Sequence, residues 1–87
     1  AGLRRLRLTG NGITDVGLQA LAGSPHLARL AVLDVTNNRI EDEGCRAVLE
    51  SVPLRHLRRF IFPGVGPSYR MKLALEERYS RDAVTLW

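Results

Sequence analysis

One pattern of apolar and amide residues occurs twice in this 87-residue chain, at a constant interval of 27 positions. The two copies are Leu3, Leu6, Leu8, Asn11 and Ile13, and then Leu30, Leu33, Val35, Asn38 and Ile40. Self-similarity at a fixed period of this size is typical of stacked supersecondary units, none of which can bury its apolar side alone. The sequence therefore predicts an array of repeats that share one continuous core.

The alternation of apolar and polar residues at the start of each copy predicts a short strand with one buried face, over residues 3–9 and again over 30–36. A stretch of small residues at helical spacing predicts a helix over residues 16–22. Residues 41–50 carry three acids in their first turn and predict the equivalent helix, which Pro53 would close. Because Leu57 lies 27 positions after Leu30, residues 57–62 predict a third strand.

The last unit departs from the pattern. The segment from Pro63 to Pro67 lacks the asparagine, and we expect the register to fail there, with Val65 taking the role of Ile40 after a deletion of two residues. A longer helix is predicted from Pro67-Ser68 to about residue 79, followed by a closing strand over residues 84–87. An atypical final unit is typical of a cap, so we divide the single domain 1–87 into repeat 1 (3–29), repeat 2 (30–56) and a degenerate repeat with its cap (57–87).

The string LxxLxLxxNxI, in residues 3–13 and again in 30–40, resembles the leucine-rich repeat consensus. The helical halves resemble the ribonuclease-inhibitor-like class of that family. This resemblance implies an α/β solenoid, a right-handed βα superhelix with a parallel sheet on its concave side and helices on its convex side. It also implies binding of other proteins rather than catalysis.

Composition and charge reduce the number of function classes that fit this chain. The net charge is +4, and all but one of the thirteen basic residues are arginine, which favours bidentate contacts with carboxylates or phosphates. The chain has a single cysteine and no zinc-type spacing, so we expect no internal disulfide and no structural metal. No cofactor is expected either. No apolar run approaches the roughly 18 residues of a membrane span, and the first residues lack a signal-peptide layout. We expect a cytoplasmic protein with no membrane partner, and further repeats before residue 1.

The residues that most resemble catalytic or metal-binding groups have structural interpretations. Asn11 and Asn38 end strands, where an amide side chain can satisfy backbone groups of the turn. Cys45 falls at an inward helical position and is expected to be a small buried hydrophobe. His26 and His56 occupy different repeat positions, so they do not stack as a metal or catalytic pair. No catalytic, cofactor-binding or metal-binding residue is predicted.

The strand positions between the inward residues should face away from the core. Across strands about 4.8 Å apart they form the rows Arg5-Val32-Arg59, Arg7-Asp34-Ile61 and Thr9-Thr36-Pro63. From these rows we predict a partner-binding set on the concave face, formed by Arg5, Arg7, Val32, Asp34, Arg59 and Ile61. We expect Asp34 to pair with Arg7. The alternative is a solvated sheet face without a binding role.

The leading functional hypothesis is a non-catalytic protein-interaction module whose partner presents an acidic surface. The alternative is a basic scaffold that binds nucleic acid or another anionic surface without sequence preference. Nucleic acid is the less favoured partner, because aromatic platforms for stacking bases are lacking. The sequence contains neither a paired-carboxylate arrangement nor a nucleophile with a base, so it does not favour an enzyme. No small-molecule substrate is expected.

Overall fold

The computed structural model describes residues 3–79, which form three β–α units in sequence. Their elements are β1 (Arg5–Arg7), α1 (Asp15–Ala22), a 3-10 turn (Pro25–Leu27), β2 (Val32–Asp34), α2 (Asp42–Leu49), β3 (Arg59–Ile61) and α3 (Tyr69–Arg78). The strands and helices lie where the sequence predicts them, although each strand is only three residues long. The strand predicted over residues 84–87 lies outside the described residues.

The three strands form a parallel sheet in the order β1-β2-β3. Leu6 pairs with Leu33 and Leu33 with Phe60, so residues 27 positions apart lie on adjacent rungs. Parallel strands need a crossover connection, and here α1 and α2 provide it. The prediction that the sequence interval sets the strand register is confirmed.

One hydrophobic cluster lies between the sheet and the helices. Leu33 and Phe60 enter it from the strands and are fully buried, as are Leu18 from α1 and Leu75 from α3. Burial of each such side chain stabilises the fold by about 1.5–3 kcal/mol. Leu6 is only half-buried, because no strand of the described residues lies on the outer side of β1. The core is therefore complete at β2 and β3 and open at β1.

The prediction that the register fails after residue 62 is wrong. The helices α1, α2 and α3 begin at Asp15, Asp42 and Tyr69, again 27 positions apart. The connection from strand to helix in the third unit therefore has the same length as in the other two, and only the chemistry of its turn differs. An identical length is what the stacked helices require, since each must start level with its neighbour to pack along it.

The prediction that Val65 takes the role of Ile40 is also wrong, because Val65 is 91% exposed. Pro67 stands 27 positions after Ile40 and is buried in its place. The preceding Gly66 has a φ of +128°, and a Cβ there would collide with the carbonyl oxygen of Ile40. Pro63 is also buried, and the predicted row Thr9-Thr36-Pro63 lies beyond the paired strands. Two prolines and a glycine thus replace the asparagine turn.

Asn38 joins the first two repeats. Its Oδ1 accepts hydrogen bonds from the backbone N–H groups of Asn11, at 3.0 Å, and Ile13, at 2.9 Å. Its Nδ2 donates to three backbone carbonyls, those of Leu8, Val35 and Thr36. The predicted structural role of Asn38 is confirmed, and its amide links the turns of both repeats.

The first-turn aspartates form a second link between neighbouring repeats. Oδ1 of Asp15 accepts a hydrogen bond from the backbone N–H of Glu41, the N-cap of α2, at 2.8 Å. Oδ1 of Asp42 accepts one from the N–H of Ser68, the N-cap of α3, at 2.6 Å. Gly44 makes room for the first link, since a Cβ there would lie 2.5 Å from Oδ1 of Asp15. Each aspartate therefore fixes where the next helix begins.

Replacing Asn38 by Ala should lower the free energy of unfolding by about 3 kcal/mol or more, because several backbone groups in the turns lose their partner. The matched control is Asn11→Ala, which removes one exposed bond, from Nδ2 to the carbonyl of Thr9, and should cost less than about 1 kcal/mol. Urea denaturation followed by circular dichroism measures both. Equal losses would contradict the assigned role of Asn38.

The pH dependence of stability tests the link at Asp42. The hydroxyl and backbone N–H of Ser68, with a smaller contribution from Arg46, hold the pKa of the Asp42 carboxyl below its usual 3.8. A depressed pKa stabilises the fold above the unfolded-state pKa, and this contribution is lost as the pH falls through the folded-state pKa. Stability should therefore fall below about pH 4, and less steeply in Asp42→Asn, which keeps an acceptor oxygen but does not titrate. Identical acid profiles would contradict the link.

Candidate functional site

The sheet face turned away from the core gathers all six of the predicted partner-binding residues. We call it the open sheet face, and its residues are Arg5, Arg7, Val32, Asp34, Arg59 and Ile61. The strand register pairs them as the predicted rows Arg5-Val32-Arg59 and Arg7-Asp34-Ile61. Together they line a shallow depression of about 240 Å³. Their alignment is confirmed, whereas their role in binding stays a prediction.

Asp34 is the organising group of this face. Its Oδ1 accepts hydrogen bonds from the backbone N–H of Thr36, at 3.0 Å, and from the Thr36 hydroxyl, at 2.8 Å. Its Oδ2 lies 3.7 Å from Nε of Arg7, which confirms the predicted pair. The Asp34 side chain is 14% exposed and that of Arg7 is 77% exposed. Thr36 therefore fixes the carboxylate, and the carboxylate in turn positions the arginine.

The open sheet face carries three arginines and one carboxylate. Arg5 and Arg59 stand two strands apart, about 10 Å, on either side of the half-buried Val32. Ile61 places a second apolar side chain next to Asp34. Guanidinium groups bracketing an apolar surface match a partner that presents carboxylates around an apolar side chain.

Sequence reasoning missed two depressions at the turns, on either side of the exposed Val65. The larger, about 470 Å³, is lined by residues 37–41, Gly12, Val65 and Gly66, and the smaller, about 410 Å³, by residues 36–38 and 63–65. An apolar residue at the asparagine position was the available signal. Arg39 and Glu41 bring opposite charges to the larger depression, and the Asn38 side chain is already hydrogen-bonded to backbone. These depressions are therefore lined by fewer charged side chains than the open sheet face.

Cys45 lies where the sequence predicts it, inside the core. Cys45 is fully buried, and this burial, with smaller contributions from Asp15 and Asp42, raises the pKa of its thiol to about 12. His26 and His56 are both exposed. Over residues 3–79, no three His, Cys, Asp or Glu side chains are grouped so that they could hold a metal ion. None of the helices in that range is long and apolar enough to cross a bilayer.

Comparison with known proteins identifies one family. A family model described as Leucine Rich repeat matches residues 3–22 and 26–49, just over half of the chain. The two matched segments contain β1 with α1 and β2 with α2. No curated protein matches the chain.

Cys45 should resist thiol reagents in the native protein. At pH 8 only a very small fraction of a thiol with a pKa near 12 is ionised, and the side chain is inaccessible to the reagent. Labelling of Cys45 should therefore require unfolding. Its rate should be roughly 1,000-fold higher in denaturant than in the native protein. Fast labelling of the folded protein, measured by mass spectrometry, would contradict the burial of Cys45.

Proposed function

The chain belongs to the leucine-rich repeat family, and from this premise we propose that it is a non-catalytic module that binds another protein on the open sheet face. Repeats of this family commonly mediate protein–protein interaction and are generally non-enzymatic. The observation that carries the proposal is the pair Arg5 and Arg59 around Val32, beside an Arg7 already held by Asp34.

The proposed architecture is a right-handed solenoid of the ribonuclease-inhibitor-like class, with the open sheet face on its concave side. Neighbouring strands are spaced about 4.8 Å apart, whereas packed helices need 8–10 Å, so an array of such units bends toward its sheet. Parallel strand–helix–strand connections are right-handed in nearly all proteins. The three units 3–29, 30–56 and 57–87 are the repeats of this array. A curved sheet would wrap the open sheet face around a convex partner.

The outer side of β1 fits a further repeat. Leu3 is 47% exposed and Leu6 is half-buried, whereas the equivalent Leu30 and Leu33 are fully buried by the unit beside them. Asn11 also makes fewer contacts than its equivalent in the second repeat, whose amide reaches five backbone groups of two turns. We therefore include preceding repeats in the proposal, together with a cytoplasmic location, where a buried reduced thiol is stable.

The composition of the open sheet face favours a protein over a small molecule. A depression of about 240 Å³ on an open sheet is smaller than typical ligand pockets, which enclose about 300–1,000 Å³. Arginine is enriched at the hot spots of protein interfaces, and Val32 and Ile61 supply apolar contact between the charges. Charged groups at the rim of such an interface accelerate encounter with an acidic partner and make binding sensitive to salt.

Replacing Arg5 and Arg59 together by Ala should weaken partner binding by at least about tenfold, since each removes a charged contact worth roughly 1 kcal/mol or more. Capture by the immobilised chain from an extract of its own cells, with quantitative mass spectrometry, provides the measurement. The double variant should lose an enriched acidic protein that the wild type retains.

The matched control is Arg39→Ala with Arg70→Ala, which removes the same charge from exposed positions outside the open sheet face. This control should capture the same partner as the wild type. An unchanged protein set for Arg5→Ala with Arg59→Ala would exclude the open sheet face as the binding surface. Loss in both double variants would assign capture to net charge instead.

A further inference from the structure

A second positively charged surface lies at the edge of the molecule where the strands begin and the helices end. We call it the strand-entrance edge, and its arginines are Arg4, Arg29, Arg55, Arg58 and Arg78. All five side chains are exposed, and so are His26 and His56 in the same loops. None of these residues belongs to the open sheet face.

Backbone hydrogen bonds bring two of these arginines into one row. The carbonyl of Arg4 accepts from the N–H of Ala31 at 2.7 Å, and the carbonyl of Ala31 accepts from the N–H of Arg58 at 2.9 Å. Arg4 and Arg58 therefore stand on the first and third rungs, about 10 Å apart, with only an alanine between them. Their spacing is a direct consequence of the repeat register.

Two more arginines are held in place next to each other. Nη1 of Arg55 donates to the carbonyl of Val52 at 2.9 Å. Nη2 of Arg78 donates to the carbonyl of Arg55 at 3.2 Å, and its guanidinium lies 4.8 Å from the centre of the Tyr79 ring. Every one of these partners is neutral. The contacts therefore restrict both side chains without cancelling their charges, in contrast to Arg7, which a carboxylate holds.

Acidic side chains lie at both edges. Glu50, the C-cap of α2, and Glu76 and Glu77, in the last turn of α3, lie at the strand-entrance edge, and four others lie at the opposite edge. Asp15, Glu41, Asp42 and Glu43 lie at or next to the helix N-termini, where the helix dipole favours them. Within residues 3–79, no carboxylate oxygen lies within 4.0 Å of any of the five strand-entrance arginines. The dipole also accounts for Arg78 in the last turn of α3. It does not account for the other four, which lie outside the helices and repel one another.

We propose that the strand-entrance edge binds the sugar–phosphate backbone of double-stranded nucleic acid without reading its sequence. An arginine guanidinium can donate two parallel hydrogen bonds to phosphate oxygens. The guanidinium groups of Arg55 and Arg78 are already held in position by backbone carbonyls. Neutralising phosphates releases counterions, which provides affinity from charge alone. The partner is therefore defined by a high density of phosphates rather than by shape.

The composition of this edge separates nucleic acid from protein and duplex from single strand. Protein interfaces need central aromatic or aliphatic anchors, and over residues 3–79 the large exposed apolar side chains at this edge are Val52 and Leu3. Single-stranded binders stack bases on exposed aromatic rings. The exposed aromatic ring among the described residues is that of Tyr69, at the start of α3 and thus at the opposite edge. The edge, as far as residues 3–79 form it, therefore lacks an exposed ring for stacking, which disfavours single strands but not duplexes.

The test measures binding of a fluorescent DNA duplex of about 20 base pairs by anisotropy, between about 50 and 200 mM salt. Four to five phosphate contacts predict that log K falls with log salt with a slope of about −4. Replacing Arg55 and Arg78 together by Gln should make the slope shallower by about 2. Arg78 also contacts a backbone carbonyl and the Tyr79 ring, so its replacement could disturb the fold. Arg4→Gln with Arg58→Gln is therefore a second double variant that loses no such contact. It should make the slope shallower by the same amount.

Two matched variants separate this site from its alternatives. Arg39→Gln with Arg70→Gln removes equal charge elsewhere and should leave the slope unchanged. Arg5→Gln with Arg59→Gln should also bind the duplex normally, so that failure of the open-sheet-face proposal stays distinguishable from failure of this one. Circular dichroism confirms the fold of each variant.

The proposal is overturned if the wild type does not bind the duplex at about 50 mM salt, or if all four double variants weaken binding equally. Tighter binding of a single-stranded oligonucleotide would also overturn it. Preference for polyglutamate would assign the edge to an acidic protein, and preference for phosphatidylserine vesicles would assign it to a membrane surface.

Discussion

The turn after each strand contains backbone donors and acceptors that its own repeat does not pair, and the neighbouring repeat must supply their partners. Asn38 does so for the first two repeats, since its amide reaches N–H groups of one turn and carbonyls of both. An amide offers two donor hydrogens and an acceptor oxygen, whereas a hydroxyl has a single donor hydrogen and an ionised carboxylate has none. This requirement fixes how one repeat sits on the next, and the sheet register, the core and the rows of surface residues depend on it.

The third turn shows that the requirement has a second solution. Val65 stands at the asparagine position and points into solvent, while Pro63 and Pro67 are buried and Gly66 adopts a positive φ against the Ile40 carbonyl. Proline lacks a backbone N–H, so it removes a donor that would otherwise need a partner. Ser68 then caps α3 through the N–H of Met71, and its own N–H bonds to Asp42. The length of the strand-to-helix connection is kept although its usual chemistry is replaced.

A single register gives the molecule two basic surfaces with different characters. On the open sheet face, charge is mixed with apolar side chains and one arginine is neutralised by Asp34, as expected of a surface that selects a protein partner. At the strand-entrance edge, the arginines are held by carbonyls and an aromatic ring and keep their charge. The two surfaces share no residue, although Arg4 and Arg58 directly precede Arg5 and Arg59 in the chain.

The 27-residue interval alone identifies which residues are neighbours across the sheet. It was sufficient to predict the rows around Val32 and Asp34, the burial of Cys45 and the order of elements, because equivalent positions of stacked repeats meet each other. The contacts between non-equivalent positions, such as Asp15 with Glu41 and Arg78 with Arg55, and the replacement of the asparagine turn by Pro63, Gly66 and Pro67, emerged only in three dimensions. Those contacts depend on side-chain rotamers and on loop paths, which a repeat period does not encode.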